Sequence, residues 1–337
     1  MYYPKFIKKN SLIGIPAPSG GARDEFKINR FKNAIKRMEN LGYRLELSKN
    51  LYNNIKGRST DSKRRAKEIN DMFKNKDIDM IICASGGDFL VEILPYINFG
   101  LLKENPKLVA GFSDPTGLLF PITTKYDIAT IYGQNFSSLG MEKLHESEEN
   151  FIEIIKGNII EQHSFDYYEE KRFETITGLE GHNLTEKVYW KELNNQEVNV
   201  TGRIVGGCFD IIMELSGTKY DGVKDFNEKY KNDGIIWYFD NCEISMEETI
   251  RVLWKFHELD YFKYTKAIIF GRFGENITSY DYDVKSCLED SVISKLNIPI
   301  IYDADISHKD PSLTIINGSI ANIKVKEGKG IISFKLN

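Results

Sequence analysis

The feature that most constrains this chain is a series of short apolar runs that stop abruptly at polar residues or glycine. Residues 80–84 (MIICA), 108–112 (LVAGF), 234–239 (GIIWYF) and 266–270 (KAIIF) have strand length and no apolar–polar alternation. A strand with one face in water alternates, whereas a strand covered on both faces reads as a continuous run. Between these runs apolar residues recur at helical spacing, over 26–41 (closed by Gly42), 60–73 (opened by Ser59, Thr60 and Asp61), 89–97, 116–124, 208–215, 245–259 and 283–296. Strands alternating with helices predict an α/β fold, a parallel sheet with helices on both faces.

The chain has 337 residues, which at roughly 150 per domain suggests about two. We divide it into 1–160, an α/β domain, 161–200, a Glu-, Tyr-, Lys- and Asn-rich linker and irregular loop, and 201–337. The last part ends in a hairpin over 313–334 with Asn317-Gly318 as its turn. With 45 basic and 49 acidic residues the net charge is −4, which argues against a broad nucleic-acid-binding surface and leaves room only for a local basic patch. No run approaches the roughly 18 apolar residues of a membrane span, so a soluble cytoplasmic protein is expected. Cys83, Cys208, Cys242 and Cys287 are far apart and lack ligand spacing, which points to reduced thiols, with neither disulfides nor a zinc cluster.

Three polar residues stand at or just beyond the C-terminal ends of apolar strands, the edge where open α/β sheets form ligand crevices. Ser113, in Gly111-Phe112-Ser113-Asp114-Pro115-Thr116-Gly117, lies on a tight strand-to-helix turn that would expose its hydroxyl. Asp240 ends 234–239, and His308 lies in the polar loop after 298–302. Each has a plainer use: Ser113 and Asp240 as caps, His308 as a solvated surface residue. Together they supply a nucleophile, an acid and a base. Asp303, Asp305 and Asp310 flank His308 without a second histidine at ligand spacing, so no metal is expected. The turn Ser85-Gly86-Gly87-Asp88 carries no phosphate-loop motif, so it serves close backbone approach to a reacting carbonyl or is a plain connection. Trp237 and Trp254 read as core. Trp190, in the polar linker, is either packed on the surface or stacked on a ligand ring.

The stretches 13–19 (IGIPAPS), 84–88 (ASGGD), 106–119 (PKLVAGFSDPTGLL), 203–210 (RIVGGCFD), 235–244 (IIWYFDNCEI) and 303–318 (DADISHKDPSLTIING) together resemble the LD-carboxypeptidase family of serine peptidases, which includes the microcin self-immunity peptidases. The resemblance extends over nearly the whole chain. It implies a Rossmann-like N-terminal domain, a smaller β-rich C-terminal domain, an active site between them and a homodimer without cofactor or metal. It casts Ser113 as nucleophile, His308 as general base, and the Gly87 and Asp114 amides as an oxyanion hole, with Gly86 against the substrate. The family acid is normally Glu, and Asp240 stands there one methylene shorter, so either the loop around His308 moves closer, or another acid such as Glu243 contributes, or activity is weak; Asp240 with local adjustment is the preferred reading. The expected substrate is a murein tetrapeptide cut at its C-terminal amide. The alternatives are an aminoacyl-nucleotide amide, with Trp190 in a mobile loop stacking on the purine, or a degenerate binding protein without chemistry. No membrane or nucleic-acid polymer is expected as a partner.

Overall fold

A computed structural model describes residues 1–274 and 277–336. Two sheets organise the chain. The first is parallel over five strands, in the order Arg44–Leu47, Leu12–Ile15, Ile78–Ile82, Leu108–Gly111 and Thr130–Tyr132. A sixth strand, Ile315–Asn317, comes from the far end of the chain and pairs antiparallel with Thr130–Tyr132. The second sheet has eight strands. Its centre is parallel: Val198–Cys208, Ile235–Asp240, Thr265–Gly271 and Ile300–Ala304. Antiparallel strands flank that centre on both sides. The α/β class with a parallel N-terminal sheet and a β-rich C-terminal sheet is therefore observed.

The helices form where capping and periodicity coincide. The side chains of Asp24, Asp61 and Ser245 accept from the first-turn amides of Glu25–Asn40, Ser62–Lys74 and Met246–Glu258. Helix Thr116–Thr124 differs, since every residue in it is buried. Its first residue ties the two sheets, because Thr116 Oγ1 accepts the Cys208 amide at 3.0 Å. Among the described residues no helix is long and apolar enough to cross a membrane.

Four expectations change. Residues 89–97 form a 3₁₀ turn, Leu90–Tyr96, because Pro95 lacks the N–H that an α-helix needs. The hairpin turns at Glu327–Gly328, between Ile320–Lys326 and Lys329–Lys335, and not at Asn317-Gly318. The Asn-Gly pair instead lets the chain leave the first sheet for the second, with Gly318 at φ +84°. The linker is partly structured: Gln162–His163 and Lys191–Glu192 are edge strands of the second sheet. Trp237 is core, but Trp254 is 56% exposed, as its helix turns Leu253 and Phe256 inward instead.

Close backbone approach explains Gly206, which pairs with Tyr238. A Cβ there would stand 1.9 Å from the Tyr238 carbonyl oxygen. Gly206→Ala must therefore push apart the strand that carries Asp240. Urea denaturation should show a loss on the order of 3 kcal/mol, the upper range for overpacking.

Candidate active site

The site begins with the turn after strand Leu108–Gly111. Ser113 has φ +69°, a left-handed conformation that is strained for a side-chain-bearing residue. The turn is held because the Ser113 and Asp114 carbonyls accept the Thr116 and Gly117 amides at 2.8 and 2.9 Å. This sharp reversal lifts the hydroxyl off the sheet edge. His308 follows strand Ile300–Ala304, and Asp240 is the last residue of Ile235–Asp240.

These three residues, 195 and 68 positions apart, meet. Ser113 Oγ lies 2.8 Å from His308 Nε2, and His308 Nδ1 lies 2.9 Å from Asp240 Oδ1. The Nδ1–H donates to the carboxylate, which leaves Nε2 to accept the serine proton. Asp240 is wholly buried and the His308 side chain is 14% exposed. Burial alone would depress the His308 pKa. The Asp240 charge and hydrogen bond outweigh it and hold the imidazole well above its ordinary 6.5.

The Asp240 carboxylate also holds the loop. Asp240 Oδ1 also accepts the backbone N–H of His308 at 3.1 Å, so one carboxylate oxygen holds both the imidazole and its loop. Glu243 is exposed, and its amide donates to Asp210. The loop is braced from behind by Asp305, which is buried and paired with Arg272. Phe112 packs on the imidazole at 4.8 Å between ring centroids.

Gly86 and Gly87 line a cleft of about 740 Å³ beside this chain of residues. Gly86 approaches the serine closely: a Cβ there would stand 3.2 Å from Ser113 Cβ and would push it by a few tenths of an ångström. Among the described residues, the amides of Gly87 and Asp114 donate to no protein acceptor. The Asp114 carboxyl is turned away into the protein, accepting from Ser19 Oγ at 2.6 Å and the Leu90 amide at 3.0 Å. Burial raises its pKa. The Asp114 carboxyl thus ties the turn after Ser113 to the loop that follows Gly87.

Trp190 corrects an expectation. It is 1% exposed, and its Nε1–H donates to Asp305 at 2.8 Å. Gly330 lies against its ring, where a Cβ would stand 2.3 Å away. A ring with both faces covered has none left for a ligand, and Trp190 braces the His308 loop instead. Tyr132 was missed. It is the tip of a three-residue strand too short to register as an apolar run, yet it obeys the strand-end rule that singled out Ser113 and Asp240.

Glu169, His182 and Asp310, which line the far part of the cleft, bring one potential ligand atom each within 4.8 Å of one another, as do His145, Glu148 and His182. They are engaged among themselves. His145 Nδ1 accepts the Ser147 amide, His182 Nε2 lies 3.3 Å from Glu148, and Glu169 and Asp310 face Arg172.

A strained serine turn with imidazole and carboxylate at hydrogen-bond distance defines a class, the hydrolases that work through an activated hydroxyl. Models of the LD-carboxypeptidase N-terminal and C-terminal domains match residues 13–133 and 201–323. The chain belongs to the LD-carboxypeptidase family of peptidases. It is 26% identical to the microcin C7 self-immunity protein MccF of Escherichia coli, over 85% of this chain and 83% of that one. It is 23% identical to the "Probable murein peptide carboxypeptidase" of Bacillus subtilis, over 98% and 94%. In fold it is similar to an MccF-like protein from Bacillus anthracis, with TM-score 0.83, 24% identity and all of both chains covered. It is likewise similar to MccF in complex with aspartyl sulfamoyl adenosine, with TM-score 0.81, 22% identity and 99% and 98% covered.

Trp190→Phe removes a buried donor to Asp305 but keeps most of the packing. Thermal unfolding should show a loss of about 1–3 kcal/mol, with no change in ligand affinity beyond what that loss explains.

Proposed function

We propose that the chain is a serine carboxypeptidase that hydrolyses a C-terminal amide through an acyl-enzyme, with Ser113 as nucleophile, His308 as general base and acid, and Asp240 as the orienting carboxylate. The observation that carries this reading is the continuous pair of contacts at 2.8 and 2.9 Å from Ser113 through His308 to Asp240. Ser113 Oγ attacks the carbonyl carbon while His308 Nε2 takes its proton. The Gly87 and Asp114 amides then hold the tetrahedral oxyanion, an electrostatic contribution worth about 3–4 kcal/mol per donor elsewhere. His308 returns the proton to the leaving amine, and water attacks the ester with the same base.

The substrate of this proposal is a murein tetrapeptide cut at its terminal residue. A family relative named for murein peptides supports it, and the one aromatic residue invoked for nucleobase stacking, Trp190, is buried. A second reading, an aminoacyl-nucleotide amide, is favoured by the similar MccF structures in complex with aspartyl sulfamoyl adenosine and with glutamyl sulfamoyl guanosine. Assaying both substrates side by side separates the two. The homodimer is part of the proposal, and sedimentation velocity tests it.

Ser113→Ala should abolish turnover and fluorophosphonate labelling with the fold intact; near-normal activity would refute the serine mechanism. Asp240→Asn should lose on the order of 10⁴ in kcat, as removal of the acid does in other triads, and Glu243→Gln should lose little. A binding protein without chemistry would take up no fluorophosphonate at all.

The base works only when neutral, and its pKa is raised. The rate kcat/KM should therefore climb with pH through a limb lying above the usual histidine value of about 6.5. Asp240→Asn removes the charge that raises it, so an NMR titration of His308 in that variant should move to lower pH.

A further inference from the structure

Ser113 belongs to the first sheet, while Asp240 and His308 belong to the second. The contact between Ser113 Oγ and His308 Nε2 spans the two sheets, but it is the bond that breaks and reforms in every catalytic cycle. A second tie spans the same gap. Tyr132, with no exposed surface, ends strand Thr130–Tyr132 beside the strand that leads to Ser113. Its hydroxyl donates to Asp240 Oδ2 at 2.6 Å and accepts the Ser113 backbone N–H at 3.3 Å. The ring is wedged between Phe112, at 5.0 Å, and Tyr238, at 5.7 Å, so the hydroxyl has a fixed position. Burial first, and then the charge of Asp240, push the phenol well above its ordinary 10, so it remains a donor throughout the working pH range.

We propose that Tyr132 is a positioning residue for acyl transfer: it locks the rotamer of the short acid Asp240 and ties it to the backbone that carries the nucleophile. The proposal rests on the serine reading above. Oδ1 of Asp240 serves His308 twice, through Nδ1 and the backbone amide. Without Tyr132, Oδ2 has no donor among the described residues, and a half-satisfied buried carboxylate can rotate away from the imidazole. The phenol therefore keeps nucleophile and acid in register during the interval when the Ser113–His308 bond is spent.

Tyr132→Phe tests this, since it deletes one oxygen from a packed ring. A hydrogen bond to a charged group is worth about 1.5–3 kcal/mol, so kcat should fall about 10- to 100-fold with KM little changed. The acid limb of kcat/KM should move to higher pH, because an Asp240 charge shared with fewer donors holds the imidazolium more tightly. In an Asp240→Asn background the same substitution should change kcat by less than about 2-fold, the limit for uncoupled sites being far exceeded only in the native background. Site-specific replacement of Tyr132 by 3-fluorotyrosine strengthens the donor without removing it and should move the limb the opposite way. This arm decides the matter if Tyr132→Phe does not fold. Unchanged kcat, an effect on KM alone, losses that add fully to those of Asp240→Asn, or a limb indifferent to fluorination would each overturn the role of Tyr132. Activity retained in Ser113→Ala would instead overturn the serine reading, a failure distinguishable from all of these.

Discussion

The carboxylate of Asp240 has no exposed surface, and it is answered by three donors: the imidazole of His308, the backbone of His308 and the hydroxyl of Tyr132. A buried carboxylate without such partners is strongly destabilising. The surrounding structure is organised so that the partners arrive. The His308 loop lies close enough for its own amide to reach the carboxylate. Behind it, Asp305 collects Arg272, the Trp190 indole and the Phe165 amide. Tyr132 comes from the other sheet. The acid thus holds together parts of the chain that have no sequence proximity.

That arrangement places the Asp240 carboxylate within hydrogen-bond distance of the imidazole. Glu243 takes no part in it: its side chain is exposed and its amide donates to Asp210. The nucleophile side has a complementary economy. Ser113 is strained at φ +69°, and the strain is held by the buried helix Thr116–Thr124 that follows. That helix also accepts a hydrogen bond from Cys208, so the element that imposes the serine conformation also sets the spacing between the sheets.

The segment between the sheets is more ordered than its composition suggests. Its short strands join the edge of the second sheet, and Arg30 from the first helix donates to the Gly178 and Glu180 carbonyls. Glu169, His182 and Asp310 line the cleft that starts at Gly86. Asp310 is two residues from His308, so the wall of the cleft and the imidazole share one loop.

The α/β class, the buried strands, the helix caps and the positions of Ser113, Asp240 and His308 were legible in the sequence. Each depends on local chemistry: uninterrupted apolar runs, a capping side chain, a polar residue where a strand ends. The family motifs extended that reading to the Gly87 and Asp114 amides. What the sequence could not disclose was whatever depends on two distant segments touching. Asn317-Gly318 has the composition of a hairpin turn but serves as a crossing between sheets, because Ile315–Asn317 finds its partner in Thr130–Tyr132. Trp190 sits among polar neighbours yet is buried, because Gly330 leaves room for its ring and Asp305 accepts its N–H. Tyr132 carries no motif at all; its role exists only because packing brings the tips of two sheets within a hydrogen bond of each other.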